Sequence, residues 1–536
     1  MKKEVMIVAV CLSLAAGMFS GCSNGKVGNS DYDLDDLKTA SYPLETDVEL
    51  TMFHRQNANW DQITAQEGAK RIIDLIDEKT GVKITHLYPP AGQEEQQFNL
   101  MLASGELPDI IDWNWGTFVG GADKAVNDGY ILNLNELIEE YSPNFKALLE
   151  SDPYIDRMVK TDEGNYCYYP GMMDYGKESG DSLLLTSGYV FRKDWLDDLS
   201  LPVPETIDDW HRTLTAFKEQ KGATAPLCMT ASDAQAGLAG AYGINLGFYK
   251  DDDGKIQYGY IQPEFQEFVT MMNRWYTEGL IDKNIAAIDS KTVDSRVLNN
   301  ETGAVFAWLG GGVGKWLTAA ESLGMEAFDL VGVPAPVLNK GDRAKYAAKE
   351  LPVAVSGLAI STACQHKELA VKYLDYGYTE EGHLVYNFGE EGVTYDMVNS
   401  IPTYTEFMTN NPEGKSLDEM LQIYTSATGK GPFVMDYRYY QQRLIWPQQK
   451  EAQMNWGDND VDDYQLPVLT PSEEDSKEYT DIMNNINTYT TEMYLKFIVG
   501  TEPISNYDSF VQQIRDYGIE RAIEIQQASL DRFNNR

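Results

Sequence analysis

VELTMF, at residues 48–53, reads as a short strand, and the chain around it repeats one unit. Downstream, residues 61–79 place Ile63, Ile72, Ile73, Leu75 and Ile76 mostly on one helical face and end near Gly81, a helix-stop signal. VKITHL at 82–87 is a second strand, residues 96–103 are helical, and Leu107-Pro108-Asp109-Ile110-Ile111 leads into a third, buried strand. Strands alternating with helices imply βαβ units and a mainly parallel sheet, so the predicted class is α/β. Far downstream, Ile519, Ala522, Ile523, Gln526, Leu530 and Phe533 recur at helical spacing, which predicts a terminal helix docked by one face.

Several strands run into aromatic and polar residues. Ile110-Ile111 is followed by Asp112-Trp113-Asn114-Trp115, and Val305-Phe306-Ala307 by Trp308, a glycine-rich turn and Trp316. Thr51-Met52-Phe53 runs into His54-Arg55-Gln56-Asn57-Ala58-Asn59-Trp60. In open α/β sheets ligands sit outside the carboxyl ends of strands. Sugars suit such places, because their C–H faces pack on aromatic rings while their hydroxyls pair with Asp, Asn, Gln and Arg. The alternative for any one of these tryptophans is packing within the core or at its rim.

Composition removes other functions. A formal charge of −40 argues against nucleic acid, whose phosphates need clustered Lys and Arg, and against adhesion to anionic lipid. Of five cysteines, Cys11 and Cys22 lie in the N-terminal segment described below. That leaves Cys167, Cys228 and Cys364, too few for a disulfide framework and read as buried thiols.

The catalytic motifs fail on inspection. Gly21-Cys22-Ser23-Asn24-Gly25 matches G-x-S-x-G but lacks the strand-turn-helix setting of a nucleophile elbow. Gly310-Gly311-Gly312-Val313-Gly314-Lys315 resembles a phosphate loop, yet Leu309 and Trp316 stand where Gly and Ser or Thr are needed. His54, His86, His211, His366 and His383 give no zinc-hydrolase spacing. Asp251-Asp252-Asp253-Gly254 and the acidic run 458–463 lack the turn glycine and final glutamate of a calcium loop and are read as acidic turns. Paired carboxylates for glycoside cleavage can be drawn at will among 83 Asp and Glu, so no pair is informative. The expectation is therefore no catalytic residue, no metal site and no cofactor.

The N-terminus has the form of an export signal: Lys2 and Lys3, softened by Glu4, an apolar stretch over 5–19, then Ser20 and Gly21 before Cys22. The stretch is shorter than the roughly 20 residues that span hydrocarbon. Phe19-Ser20-Gly21-Cys22 resembles the lipobox of bacterial lipoproteins, with Phe where Leu is usual. Cys22 is thus the expected lipidation site, its acyl chains anchoring the protein to the outer face of the cell membrane. The polar stretch that follows reads as a flexible tether.

Blocks spread over roughly residues 50 to 400 resemble the extracellular solute-binding proteins of family 1. Leu102-Ala103-Ser104-Gly105-Glu106-Leu107-Pro108-Asp109-Ile110-Ile111 looks like the family's ASG-x-x-PD signature. Phe191-Arg192-Lys193-Asp194-Trp195-Leu196-Asp197, continuing to Thr206, resembles its RKDWLD block, and Trp275-Tyr276-Thr277-Glu278-Gly279-Leu280-Ile281-Asp282 its WYxEGLID segment. Gly357-Leu358-Ala359-Ile360-Ser361 and the helix from Lys367 are similar to its GxxIS strand and following helix. The order of the blocks resembles the large lipoprotein branch associated with oligosaccharide import.

The resemblance implies two α/β lobes of the periplasmic-binding (type II) kind, closing around a hinge on ligand in the cleft between them. The implied organisation is a signal peptide at 1–21, a lipidated N-terminus and tether at 22–46, a first lobe at 47–168 plus 358–435, and a second at 169–357 plus 436–536. Crossings are expected near Tyr168 to Pro170, near Ser356 to Ala359 and around 430–440. The resemblance implies Trp113, Asn114, Trp308 and Trp316 as ligand residues; the strand-end pattern adds Asn57, Trp60 and Trp115, and Glu391 and Tyr395 are further expected cleft residues, with Arg192 structural beside Asp194. The family's calcium loop has no counterpart in Glu219-Gln220-Lys221-Gly222-Ala223. The implied function is that of a monomeric substrate-binding lipoprotein delivering an oligosaccharide or related glycan fragment to ABC permease subunits. A binder of peptides or another polar solute is the alternative, and a surface glycoside hydrolase a third.

Overall fold

The computed structural model describes residues 33–55, 71–174, 183–235, 237–412, 415, 417–427 and 431–536. The strands, in chain order, are β1 (Glu49–Phe53), β2 (Lys83–Leu87), β3 (Ile110–Trp113), β4 (Tyr169–Met173), β5 (Ser187–Arg192), β6 (Leu227–Cys228), β7 (Phe248–Lys250), β8 (Ile256–Tyr258), β9 (Ala304–Trp308), β10 (Leu330–Gly332), β11 (Val353–Ile360), β12 (Tyr395–Val398), β13 (Ile401–Tyr404) and β14 (Val434–Met435). Two sheets organise two lobes, one in the order β14-β4-β11-β3-β1-β2, the other β10-β5-β9-β6.

The first sheet begins as the predicted βαβ units. β1 pairs in parallel with both β2 and β3, helices Arg71–Thr80 and Glu94–Ser104 making the connections. Alternate residues serve opposite faces: Leu50, Met52 and Ile110 enter one core, Phe53 and Ile111 the other. β11 then runs antiparallel between β3 and β4. Here Gly357 is required by close approach, since a Cβ would meet Tyr169 O and Tyr168 Cδ2 at 2.5 Å.

The second lobe is built on aromatic packing. Helix Ile207–Gln220, fixed by a capping box between Thr206 and Asp209, drives Trp210 and Phe217 against Phe191 and Trp195. Helices Pro263–Thr277, Glu473–Val499 and Ile519–Asn534 complete that core. The terminal helix appears where its periodicity placed it, with Ile525 rather than Ile523 on the buried face. Arg192 is structural: its Nε and Nη2 donate to Asp194 at 2.8 and 2.6 Å, and Nη1 to Asn300. Cys167, Cys228 and Cys364 are buried free thiols.

Two boundaries differ from the sequence expectation. The segments expected as crossings, Tyr168–Pro170 and Ser356–Ala359, lie largely within β4 and β11 of one sheet, so the chain leaves the first lobe after Met173 and returns before Val353. Extended hinge segments that pair side by side are indistinguishable in sequence from ordinary strands. The third passage follows β14, after which helix Pro447–Trp456 docks on the second sheet, Trp456 Nε1 donating to Tyr189 O at 3.0 Å.

The expected tether is also shortened. Helix Leu34–Thr39 and the segment after it lie on the first lobe, with Leu37 and Leu44 in its core and Leu44 N bonded to Thr80 O at 2.8 Å. A few apolar side chains suffice to dock a stretch whose composition is otherwise polar. Cys22 and the rest of the expected leader lie outside the described residues. Among the described residues no helix is long and apolar enough to cross a membrane.

Candidate functional site

Strand polarity makes the two sheets meet at the edges where most of their strands end. β1, β2, β3, β4 and β14 point one way, with β11 opposed, so their carboxyl ends share one edge with the start of β11. In the second sheet β6, β9 and β10 end beside the start of β5. The chain passes between lobes at these edges, which therefore face each other. At the usual strand spacing, six strands give the first edge a length of about 24 Å.

A cavity of about 400 Å³ lies where these edges come together. Met173 and Met435 supply it from the first sheet, Leu183, Thr186 and Trp308 to Gly311 from the second, with Glu350, Ala427, Tyr439, Tyr440 and Arg443 completing the wall. Trp308 ends β9 with 54% of its surface exposed, an unusual state for the largest apolar side chain at a strand terminus. After it the backbone widens into a π-helical turn over Leu309–Gly314. Gly310 lets Arg443 lie against that turn, since a Cβ would stand 3.1 Å from Arg443 Nη2.

Arg443 comes from helix Tyr437–Arg443 and is held flat by Asp418, Nε to Oδ1 at 2.6 Å and Nη2 to Oδ2 at 2.9 Å. Burial works against its charge, but the hydrogen bonds and charge of the Asp418 carboxylate outweigh burial and raise it above the ordinary guanidinium value. At the head of the same helix Asp436 caps Arg438 N at 2.7 Å and accepts from His383 Nε2 at 2.8 Å. Burial would raise that carboxyl, yet the bonds from His383 and Arg438 hold it at about 2. The arrangement offers one open ring, two tyrosines and a rigid guanidinium around a cavity able to admit a sugar unit.

The sequence-predicted residues separate. Trp308 stands on the cavity wall. Trp113 and Asn114 stand at the carboxyl end of β3, half-buried, with Phe98 covering one face of Trp113 at 3.7 Å; they are on the same edge but outside this cavity. Trp115 is fully buried, its Nε1 donating to Ile111 O at 3.2 Å, because β3 ends at Trp113 and a 3₁₀ turn rotates the next tryptophan inward. Trp316 is likewise buried, donating to Asp294 Oδ1 at 2.7 Å from the inner face of helix Lys315–Ser322. Tyr395 is buried in a cluster shared with Phe388 and Tyr404, and Glu391 is exposed on the turn beside it. None of these four lines this cavity, although Trp115 lines the second one described below. Asn57 and Trp60 lie outside the described residues.

Sequence reading missed Arg443, Tyr439, Tyr440, Glu350 and Asp418. The cue available was aromatic and basic density in DYRYYQQR at 436–443, next to an expected crossing. A second cavity, about 270 Å³, lies where residues 468–473 and the end of the terminal helix meet the first lobe. Its cations among the described residues are already paired, since Arg532 Nε and Arg536 Nη2 both bond Asp162 at 2.6 Å and Lys160 Nζ bonds Asp156 at 2.8 Å.

Near the far end of the first edge, Asp112 is buried with Oδ1 unpartnered, as is Arg55 Nε. Burial pushes Asp112 up to about 6, against the opposing charge and backbone N–H of Arg55. Close by, His54 Nε2 and His86 Nδ1 are 2.7 Å apart, and burial lowers both rings, to about 3 and about 4. Asp112 gives a test by pH. Its folded-state value lies above the unfolded one of 3.8, so its contribution is fully present below pH 4 and is lost as pH rises through about 6. Asp112→Asn should therefore gain up to about 3 kcal/mol at neutral pH and flatten the stability profile between pH 4 and 6. Urea titrations at three pH values would show it, and an unchanged slope would refute it.

The acidic turns take internal partners. Asp251 Oδ1 accepts from Asp253 N and Lys255 N at 3.0 and 2.8 Å, closing the β7–β8 hairpin, while Asp458 and Asp460 bind Arg343 and Asp462 pairs with Lys349. Among the described residues no group of three or more His, Cys, Asp or Glu is placed to hold a metal ion.

Residues 60–383 match the family described as bacterial extracellular solute-binding protein. The fructooligosaccharide ABC transporter substrate-binding protein FusA of Streptococcus pneumoniae serotype 4 is 22% identical, over 98% of this chain and 97% of its own length. Lipoprotein LipO of Bacillus subtilis (strain 168) is 21% identical over 94% of each. Among solved structures, the alginate-binding protein AlgQ2 without calcium ion superposes with a TM-score of 0.73 at 22% identity, covering 92% of this chain and 99% of that one.

Proposed function

The chain belongs to the bacterial extracellular solute-binding proteins, and from that premise we propose that it captures an oligosaccharide or related glycan fragment for an ABC importer. The observation that carries the reading is Trp308, exposed at a strand end over a cavity that also holds Arg443, Glu350 and two tyrosines. An apolar ring beside fixed polar groups is the chemistry a pyranose or furanose needs, stacking for its C–H face and hydrogen bonds for its hydroxyls. The names of relatives, a fructooligosaccharide binder and an alginate binder, agree with a glycan ligand.

Capture works by population shift. A ligand touching both sheet edges gains more in the closed form than in the open one and favours closure by that difference alone. The movement would be absorbed where the chain passes between the lobes, before Val353 and after Met435. A permease can then read the closed shape. Cys22, carrying acyl chains, would keep the protein beside that permease on the extracytoplasmic face, a reading supported by a lipoprotein among the relatives.

Calorimetry against a glycan panel tests this. Saturable heat with intact ligand recovered afterwards is the expected result. Hydrolysis products would make the protein a glycosidase, and binding of peptides alone would remove the glycan reading.

A further inference from the structure

Resting on the glycan reading, we infer that the cavity at Trp308 selects uncharged saccharides over uronates, with Asp418 and Glu350 as the residues that set this selectivity. Among its described residues the cavity wall carries two charged side chains, Arg443 and Glu350. Among the described residues of the wall Arg443 is the cation that could balance an acidic sugar, and it is already spent. Asp418 grips it through two parallel N–H···O bonds, at 2.6 and 2.9 Å, the geometry in which a guanidinium binds a ligand carboxylate. A uronate would have to displace a carboxylate that is covalently part of the protein and therefore present at high effective concentration.

What remains on Arg443 are N–H groups not used by Asp418, among them one on Nη1 that leans toward Tyr439 Oη at 3.5 Å. Held this way, a guanidinium donates to neutral hydroxyl oxygens. Glu350, on the same wall as Tyr440, adds a negative charge that accepts from sugar hydroxyls and repels carboxylates. Counting Asp418 behind Arg443, the described residues of the wall sum to one negative charge, within a chain whose formal charge is −40. Both the local and the summed field thus disfavour an anion.

Asp418 acts through Arg443 and is a positioning residue. The test must therefore move a quantity that simple loss of structure would not. Calorimetry on the full chain would compare neutral tetrasaccharides of the glucan, fructan and galactan types with an oligogalacturonate of equal length, at low and high salt. The expected result is a neutral ligand bound at least about tenfold more tightly than any uronate. Asp418→Asn, which frees the guanidinium, should raise uronate affinity at least about tenfold at low salt, the gain shrinking as salt screens it. Asp418→Glu should retain the parental selectivity. Glu350→Gln removes the wall charge without touching the Arg443 pair and should shift the ratio the same way, which covers the case of an Asp418 variant that does not fold. Equal or tighter binding of oligogalacturonate by the parent protein overturns the inference and leaves the glycan reading standing. So does an unchanged ratio in folded Asp418→Asn and Glu350→Gln. Absence of binding in both ligand series overturns the glycan reading itself, and the inference with it.

Discussion

Trp308→Ala is expected to weaken glycan binding by about 30-fold while leaving the melting temperature almost where it was. The two effects separate because of where the ring lies. It projects from the end of β9 with 54% of its surface in solvent, so its removal opens no cavity in the core and should change stability by no more than about 0.5 kcal/mol. A ligand stacked on it would lose rigid apolar area at the centre of the contact, where truncating an aromatic anchor costs about 2 kcal/mol or more. Trp308→Phe keeps a smaller ring and should fall between the two. Calorimetry and thermal melts on the same samples make the check. Affinity within twofold of the parent would remove Trp308 from the site and with it the main support for the proposed function.

Asp375→Ala should do the opposite, destabilising the first lobe by about 3 to 5 kcal/mol without touching the cleft. Asp375 ends helix Lys367–Asp375 and is fully buried. Its carboxylate accepts from Ser142 Oγ at 2.7 Å, Asn144 N at 3.1 Å, Asn144 Nδ2 at 2.7 Å and Phe145 N at 2.9 Å. It thereby caps helix Pro143–Ser151, whose own cap residue, Ser142, makes no side-chain capping bond. Removing it strands several buried donors, each losing its desolvation cost unpaid, at a site where a charged acceptor met the positive end of a helix. Asp375→Asn keeps the shape but loses the charge and turns one acceptor into a donor, so about half the loss is expected. Denaturant titration followed by a first-lobe probe would show the loss. A midpoint unchanged in Asp375→Ala would mean that the helix end is served in another way.

Asp375 and Trp308 also mark the range of what could be read from the chain. Trp308 was legible because its signal is local: an apolar run stops, an aromatic follows, then glycine, and in an α/β sheet that order places the ring at a carboxyl edge. The same reasoning failed for Trp115 and Trp316. One 3₁₀ turn rotates Trp115 into the core, and the wide turn after Trp308 delivers Trp316 to the inner face of the next helix. Side-chain direction after a strand ends depends on the turn, and no residue in either turn declares its type. Arg443 and Asp418 went unread because their pairing joins two helices 25 positions apart in sequence, among many other possible pairs of charges.

By itself, then, the sequence determined the α/β class, the parallel strands β1 to β3 with their connecting helices, the docked terminal helix and the family. These rest on periodicity and short-range order, which the backbone geometry of each element imposes locally. Tertiary structure alone decided where the chain crosses between lobes, which of the other described tryptophans turn inward, and how Asp418 occupies Arg443. It also drew residues 34–44 onto the first lobe, because Leu37 and Leu44 find an apolar surface assembled from distant parts of the chain. Each of these depends on the element packed opposite, and a pattern within one segment carries no record of its partner.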